Sequence, residues 1–308
     1  MLLSLRPTVG ALPATFRSNF NKPKLLHCFS ISKSNLSFKF SPNCYCKKNN
    51  STDKPTETKL QVAYRVYTEK QKLSDGEHDI PWERGSIWSI MAMYMFNLHI
   101  PLGVGGLSIV AYLLHQPALD PQTEILSLLV VQILELIGAL VLLNTTAKPD
   151  HKLRNIFKSN KLSKERNWLL ASALGFGSLT LLVFLISFLA DIYVGPKAVN
   201  NPILKEILLS SNISKAACIL VYCLVTPLME EIIYRGFLLT SLASTMNWQK
   251  AVFISSAVFS AAHFSGENFL QLFIIGCVLG FCYSWTGNLS SPIAIHSLYN
   301  AVTLIITF

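Results

Sequence analysis

Two adjacent carboxylates, Glu230 and Glu231, lie within an otherwise apolar run of the sequence. Charged side chains are costly at membrane depth, so acids that are retained there usually have a function. On a helix, Glu231 and Arg235 are about one turn apart and can form an ion pair, whereas Glu230 is rotated by about 100° from Glu231. The spacing therefore predicts a structural role for Glu231 and Arg235 and a chemical role for Glu230.

Two histidines occupy later apolar segments and could act together with this acid. His263 lies four positions after Phe259, and Asn300 lies four positions after His296, so the members of each pair share a helix face. A carboxylate and an imidazole can together take a proton from water. An imidazole N–H and an amide N–H can stabilise the negative oxygen that forms when the water attacks a carbonyl group. These residue types are sufficient to hydrolyse a peptide bond without a serine or cysteine nucleophile.

The three patterns in this order resemble a known family. EExxxR occupies residues 230–235, FxxxH residues 259–263 and HxxxN residues 296–300, each in an apolar segment. Together they resemble the type II CAAX prenyl protease and bacterial abortive-infection (ABI, CPBP) family of intramembrane proteases, and the resemblance covers roughly residues 210–308. EExxxR alone has little specificity, whereas the ordered combination of all three patterns is specific.

The resemblance implies an all-helical membrane bundle whose active-site cavity opens to one side of the membrane. It also implies glutamate-dependent chemistry in which Glu230 and His263 activate a water molecule. His296 and Asn300 would stabilise the oxyanion. The supporting residues would be Glu231, Arg235 and Phe259.

No cofactor and no metal ion are expected from the resemblance. Two histidines and one or two glutamates would be enough ligands for zinc, but no HExxH motif occurs in the chain. The seven cysteines include no CxxC pair. We interpret those in the apolar segments as small buried thiols rather than metal ligands.

Composition indicates a polytopic membrane protein. The chain is 51% hydrophobic and 14% charged, with a mean hydropathy of +0.41, whereas soluble domains average about 25% charged residues. We predict an all-α membrane helix bundle built from about seven apolar segments, several of them near the ~20 residues that a span needs. The segments lie at about residues 87–114 (with a possible kink at Pro101), 125–143, 168–190, 216–242, 251–264, 269–286 and 292–308.

The basic excess of the chain is concentrated at its N-terminus, which predicts targeting rather than nucleic-acid binding. Residues 1–52 hold eight Lys or Arg and no acid, and they account for almost all of the net charge of +9. Eight serines against two arginines, with no long apolar core, are typical of a chloroplast transit peptide, the alternative being a disordered basic cytosolic tail. Residues 53–85 then form a polar linker, and residues 86–308 form the transmembrane domain.

The charges of the loops predict the orientation of the bundle. Residues 148–166 hold seven Lys or Arg and two acids, so the positive-inside rule places them on the stromal side of a chloroplast membrane. The preceding loop, residues 115–124, holds no Lys or Arg. Since two spans precede the basic loop, the mature N-terminus is predicted to face the same side.

Other polar and small residues of the apolar segments have simpler interpretations. Glu135 belongs to no motif and is predicted to contribute to packing or to line a cavity. His99 and His115 lie towards the ends of the first apolar segment and are predicted to be interfacial. Gly276 and Gly280 form a GxxxG pattern, which predicts a close approach between helices.

The function that these observations predict is that of an integral membrane endopeptidase of the thylakoid or the inner envelope, acting on a protein or peptide substrate. Prenylated CAAX proteins are an improbable substrate in a chloroplast, because they are processed at the cytosolic face of the endoplasmic reticulum. The alternative is a membrane scaffold or regulator that keeps the fold and binds partner proteins of chloroplast protein or pigment metabolism. A transporter would predict inverted repeats, and the sequence shows none.

Overall fold

The computed structural model describes residues 81–149, 167–195 and 201–307. These ranges belong to one compact unit, and they contain helices and short connections but no β-strand. The predicted all-α membrane bundle is confirmed over the described ranges. The predicted transit peptide, most of the predicted linker and most of the basic loop lie outside the described residues.

Nine helices are present in the described ranges. They are α1 Arg84–Val104, α2 Gly106–Leu113, α3 Pro121–Thr146, α4 Trp168–Val194, α5 Pro202–Ser210, α6 Asn212–Ala243, α7 Trp248–Ala261, α8 Phe269–Thr286 and α9 Ser290–Thr307. The first predicted segment is thus divided at Gly105, whereas Pro101 lies within the π-helical part of α1, Met95–Val104. Helix α5 lies between the predicted apolar segments 168–190 and 216–242.

Helix lengths identify which elements can cross a membrane. Helices α1, α3, α4, α6 and α8 are each long and apolar enough to do so. Helix α7, with 14 residues, is too short for a full crossing. The most apolar window of α6 is 61% buried inside the protein, against 17% for α4. Helix α6 is therefore the central helix, and α4 presents most of its surface outwards.

The packing of the helices agrees with these burial values. Helix α6 contacts α3, α5, α7, α8 and α9, so five helices surround the segment that carries the two adjacent glutamates. Helix α4 packs against α8 and α9, and α1 packs mainly against α3. Side chains projecting from α6 therefore meet residues from both halves of the chain.

The winding of α6 changes around the glutamate pair. A short α-helical piece, Thr226–Glu231, separates two π-helical pieces, Leu220–Val225 and Ile232–Leu239. Pro227 near the start of the α-helical piece has no N–H to donate, which loosens the hydrogen-bond ladder there. Turns of π-helix widen a helix and are concentrated at functional sites. The irregular winding therefore indicates that this part of α6 is a candidate functional segment.

Side-chain caps explain where three of the helices begin. Asp120 accepts a hydrogen bond of 3.1 Å from the backbone N–H of Thr123 at the start of α3, and its hydrogen bonds with Thr123 lower the pKa of the Asp120 carboxyl group. Asn167 and Asn201 cap α4 and α5 in the same way. Each cap pairs a backbone N–H that would otherwise lack a partner.

The start of α1 and the end of α3 meet at the same end of the bundle. The backbone N–H of Lys148 donates to the carbonyl of Pro81 at 2.7 Å, and Trp82 Nε1 donates to Leu143 O at 3.2 Å. Trp82 is fully buried, with its ring edge-to-face against Phe237, although it belongs to the segment interpreted as a polar linker. The predicted basic loop therefore begins beside the start of α1; the compartment that this end faces stays a prediction.

Helices α7 and α8 approach each other closely, as the GxxxG pattern predicted. A Cβ atom at Gly276 would lie 2.9 Å from Cβ of Ser256, and one at Gly280 would lie 3.0 Å from Cγ1 of Val252. Both distances leave no room for a side chain. The α8 backbone also lies close to α6, since a Cβ atom at Gly280 would be 3.7 Å from Cδ2 of Leu239.

Candidate active site

Glu231 and Arg235 form the ion pair that their spacing predicted. Arg235 Nη1 donates to Glu231 Oε1 at 2.8 Å, and both side chains are almost completely buried. Arg235 Nη2 donates to the carbonyl of Gly276 at 3.1 Å, and the guanidinium carbon lies 4.6 Å from the centroid of the Phe259 ring. A buried arginine needs such partners because leaving its charge unpaired would be costly.

His296 joins this ion pair from α9. Its Nδ1 lies 2.8 Å from Glu231 Oε1, so one carboxylate oxygen contacts both the arginine and the imidazole. With Glu231 ionised, Nδ1–H donates to the carboxylate and Nε2 is the ring nitrogen directed to the neighbouring acid. The structure thus links His296 to Glu231, a contact that the interpretation of HxxxN as an oxyanion-binding motif did not include.

Glu230 lies between the two histidines. Its Oε1 is 3.8 Å from Nε2 of His263, and its Oε2 is 3.7 Å from Nε2 of His296. Both distances exceed those of direct hydrogen bonds. The side chain is only 7% exposed, and Oε2 accepts no hydrogen bond from any described residue. The carboxylate is therefore buried and held close to two imidazoles without being bound to either.

His263 lies two residues beyond the end of α7 and is oriented by the last turn of that helix. Its Nδ1 donates to the carbonyl of Phe259 at 2.7 Å, and the two rings lie edge-to-face with centroids 4.7 Å apart. This contact confirms that the two residues share a face. Because a carbonyl oxygen can only accept, the proton of a neutral His263 ring sits on Nδ1. Its Nε2, directed towards Glu230, is then an acceptor.

Asn300 anchors α9 to the centre of the bundle. Its Nδ2 donates to the carbonyl of Tyr222 at 2.8 Å, and Oδ1 has no hydrogen-bond partner among the described residues. Tyr222 lies in the π-helical part of α6 that precedes the glutamates. One N–H of the amide is thus engaged by the protein itself, which leaves the second as the available donor.

Phe259 is the apolar centre of this group of polar residues. It is fully buried, and its ring contacts Arg235, His263 and His296. Tyr234 completes the arrangement with an edge-to-face contact at 5.2 Å. Six of the seven residues predicted from the three motifs therefore contact one another or lie within 4 Å of a neighbour in the group. The seventh, Asn300, bonds to Tyr222 instead.

The structure also shows a second acid–histidine pair beside this site. Nδ1 of His99 lies 2.8 Å from Glu135 Oε1, and Nε2 of His99 lies 3.1 Å from the carbonyl of Ala262, the residue before His263. Tyr94 donates to Glu135 at 2.9 Å. His99 is thus held inside the protein by Glu135 and Ala262, and its interfacial position in the membrane stays a prediction. In the sequence, His99 and Glu135 are visible only as polar residues in two different apolar segments. No motif connects them, so their contact could not be predicted.

Comparison with known proteins supports the resemblance in this part of the chain. Residues 212–302 match the family model described as "Type II CAAX prenyl endopeptidase Rce1-like". The match includes all seven predicted site residues, but it does not reach His99 or Glu135.

One curated relative is also similar. A protein of Bacillus subtilis (strain 168) described as "Putative membrane peptidase YdiL" is 31% identical over 87 residues, which are 28% of this chain and 36% of the relative. The aligned part thus spans about a third of the length of that relative. No solved structure matches the chain.

The imidazoles and carboxylates of this group are also residue types that bind metal ions. Among residues 81–149, 167–195 and 201–307, no three His, Cys, Asp or Glu side chains come together in a metal-binding group. The four cysteines in these ranges are free thiols. The expectation of a metal-independent reaction stays a prediction, and the imidazoles and carboxylates can be considered for acid–base chemistry in their own right.

Proposed function

We propose that this chain is an intramembrane endopeptidase in which Glu230 and His263 activate a water molecule for peptide-bond hydrolysis without a metal ion. The observation that carries the proposal is the position of Glu230, buried with its two oxygens 3.8 Å and 3.7 Å from Nε2 of His263 and His296. A water molecule can bridge polar atoms that are separated by more than about 3.5 Å. The Rce1-like match over residues 212–302 supports the same reaction class.

The proton transfers of the proposed reaction follow from the protonation pattern of His263. With Nδ1–H donating to Phe259 O, Nε2 can accept a proton from water held against Glu230 Oε1. The carboxylate and the imidazole together remove that proton as the water oxygen attacks the peptide carbonyl. The same proton then passes to the leaving amine, so the two groups return to their starting state.

The oxyanion that forms when the water attacks requires hydrogen-bond donors, and we assign these to His296 and Asn300. Nδ1 of His296 donates to Glu231, so Nε2 donates only while the ring carries a proton on both nitrogens. The ionised Glu231 would stabilise that positive ring, as buried carboxylates orient and stabilise catalytic imidazoles elsewhere. Asn300 would contribute the N–H that is not bound to Tyr222 O.

We place this activity in a chloroplast membrane, the thylakoid or the inner envelope, with residues 1–52 as the transit peptide. The basic, serine-rich and acid-free composition of that segment supports the assignment. The contact between Lys148 N and Pro81 O supports a common side for the basic loop and the mature N-terminus, which we assign to the stroma. The substrate would be a membrane-associated protein or peptide of the same compartment.

The test compares new protein N-termini in membranes that contain wild-type protein, Glu230→Gln or His263→Ala in place of the native chain. Ser241→Ala is the matched control, because Ser241 is buried on the same helix and its hydroxyl has no hydrogen-bond partner among the described residues. We expect a set of N-termini that wild type and Ser241→Ala both produce and that neither site variant produces. Cleavage in ¹⁸O-labelled water should place one ¹⁸O atom in the new carboxylate.

Two outcomes would contradict the proposal. Identical N-termini in the wild-type and both site variants, at equal amounts of inserted protein, would exclude Glu230 and His263 from any cleavage. Full replacement of the wild-type chain by Glu230→Gln in cells would instead favour the scaffold function. Normal insertion of all variants is checked by protease protection of the membranes.

A further inference from the structure

The turn that follows α7 carries His263 and is hydrogen-bonded by a side chain from another helix. The carbonyl of Ala262 accepts a hydrogen bond of 3.1 Å from Nε2 of His99 on α1. The neighbouring carbonyls accept hydrogen bonds from within the turn itself, at Phe259, Ser260 and Ala261. The final carbonyls of a helix have no partner within it, so His99 acts as a cap supplied from outside.

The backbone after this turn is strained. Phe264, the residue next to His263, has a φ of 50°, in the left-handed region that is unfavourable for residues other than glycine. Such conformations cost free energy and persist where the surrounding structure holds them. The hydrogen bond from His99 to Ala262 is adjacent to this position, so it contributes to holding the direction of His263.

Glu135 on α3 holds His99 in turn. Its Oε1 lies 2.8 Å from His99 Nδ1 and accepts from the hydroxyl of Tyr94 at 2.9 Å, while Oε2 accepts from Gln132 Nε2 at 3.3 Å. The Glu135 side chain is completely buried. The imidazole therefore has both nitrogens engaged and cannot rotate without breaking two hydrogen bonds.

The same network reaches the helix that carries Glu230. Thr226 donates from its hydroxyl to Gln132 Oε1 at 3.2 Å. Thr226 lies on α6, about one turn before Glu230. A continuous chain of hydrogen bonds thus runs from Thr226 through Gln132, Glu135 and His99 to the residue before His263.

From this arrangement we infer that Glu135 and His99 are positioning residues that hold the distance between Glu230 and His263. The inference rests on the proposed function and extends it to a part of the chain outside the Rce1-like match. A displacement of about 1 Å between reacting groups can reduce a rate by about 100-fold. Loss of this hydrogen-bonded connection between α6 and α7 should therefore be measurable as a lower rate of cleavage.

The number of protons in the contact between His99 and Glu135 allows a positioning role of Glu135 to be distinguished from a role in proton transfer. Ala262 O only accepts, so Nε2 of His99 carries a proton, and the contact between His99 Nδ1 and Glu135 Oε1 needs one further proton on either atom. A glutamine at position 135 could supply that proton from its own amide group. Its carbonyl oxygen could still accept from Gln132, and the second N–H of the amide would donate to the Tyr94 hydroxyl, which would then accept instead of donating. Glu135→Gln can therefore keep the geometry without an ionisable group, whereas Glu135→Leu removes every one of these bonds.

The experiment uses full-length protein with two disruptive variants, one conservative variant and a control. Glu135→Leu removes the acid, and His99→Phe removes the cap donor while keeping a ring against Tyr94, whose centroid lies 5.6 Å away. The conservative variant is Glu135→Gln. The control is Gln122→Ala, which removes another α3 hydrogen bond, the one of 2.9 Å from Ser211, away from the site.

The first measurement is the rate at which Glu230-dependent N-termini form, per amount of folded protein. We expect Glu135→Leu and His99→Phe to slow it by about 100-fold and Glu135→Gln and Gln122→Ala by less than about threefold. An unchanged rate in His99→Phe would overturn the inference. An equal loss in Glu135→Gln would also overturn it, since the ionisable group would then itself be required.

The second measurement does not depend on cleavage. The ring nitrogens of His263 are followed by ¹⁵N magnetic resonance in histidine-labelled protein, with His263→Gln to assign them among the seven histidines. We expect distinct signals for a protonated Nδ1 and an unprotonated Nε2 in the wild type and Glu135→Gln, and exchange-averaged signals in His99→Phe. Unaltered signals in His99→Phe would contradict the positioning role even if the proposed proteolysis is correct. Cleavage that persists in Glu230→Gln would contradict the proteolytic mechanism and leave this measurement valid.

Discussion

Nδ1 of His296 lies 2.8 Å from Oε1 of Glu231, although the two residues are 65 positions apart in the chain. The same oxygen accepts from Arg235 Nη1, so residues of EExxxR and of HxxxN share one buried carboxylate. Glu231 therefore has two roles. It neutralises the buried charge of Arg235, and it orients His296, whose other ring nitrogen faces Glu230. The adjacent glutamates act on the same imidazole from two sides.

Removal of Glu231 is expected to destabilise the bundle strongly. Glu231→Ala leaves the buried Arg235 without its carboxylate, and breaking one side of a buried ion pair costs about 3–5 kcal/mol. The loss should be visible as a lower unfolding midpoint in detergent. Because Arg235→Met removes the charge that is left unpaired, the double variant should lose less than the sum of the single variants. Additive losses would show that the two side chains do not interact.

Arg235→Lys is expected to reduce both stability and cleavage although it preserves the charge. The guanidinium donates to Glu231 and to Gly276 O with different nitrogens, and it lies over the Phe259 ring. A lysine offers one compact ammonium group, which cannot reproduce this planar arrangement. Loss of a hydrogen bond from a charged group costs about 1.5–3 kcal/mol. Thermal unfolding is the measurement. Lys250→Arg, at an exposed position, is the matched control and should have no effect.

The close approach of α7 and α8 gives a steric prediction. At Gly276 a new Cβ would lie 2.9 Å from Cβ of Ser256, so Gly276→Ala should force the helices apart and cost about 1–3 kcal/mol. It should also slow cleavage, because Gly276 O is an acceptor for Arg235. Gly177→Ala on α4 is the control, since a Cβ there meets no atom within 4 Å. Equal stability of the two variants would contradict the packing between α7 and α8.

The targeting assignment predicts a specific import result. Full-length precursor incubated with isolated chloroplasts should become protected from external protease and lose about 45–60 residues, as expected for a cleavable transit peptide. A chain that begins at residue 53 should not be imported. Uptake by isolated mitochondria, or protection without shortening, would contradict the chloroplast assignment.

Local spacing explains what could be predicted from the sequence. The helical membrane bundle follows from hydropathy, and the pairing of Glu231 with Arg235 follows from a separation of one helical turn. The close approach at Gly276 follows from the absence of a side chain, and the contact of His263 with Phe259 follows again from the turn. In each case, the prediction depends only on residues that are near one another in the chain.

The remaining contacts depend on how the helices are packed and rotated. His99 meets Glu135 from 36 positions away and Ala262 from 163, and Asn300 meets Tyr222 from 78. The π-helical turns of α6 also change the direction of the side chains around Glu230, which a regular spacing of 3.6 residues does not describe. The sequence by itself thus determined which groups are chemically available and which helix carries each. Only the tertiary structure decided that His296 binds Glu231 and that His99 caps the turn bearing His263, because those contacts join helices whose relative rotation no local pattern records.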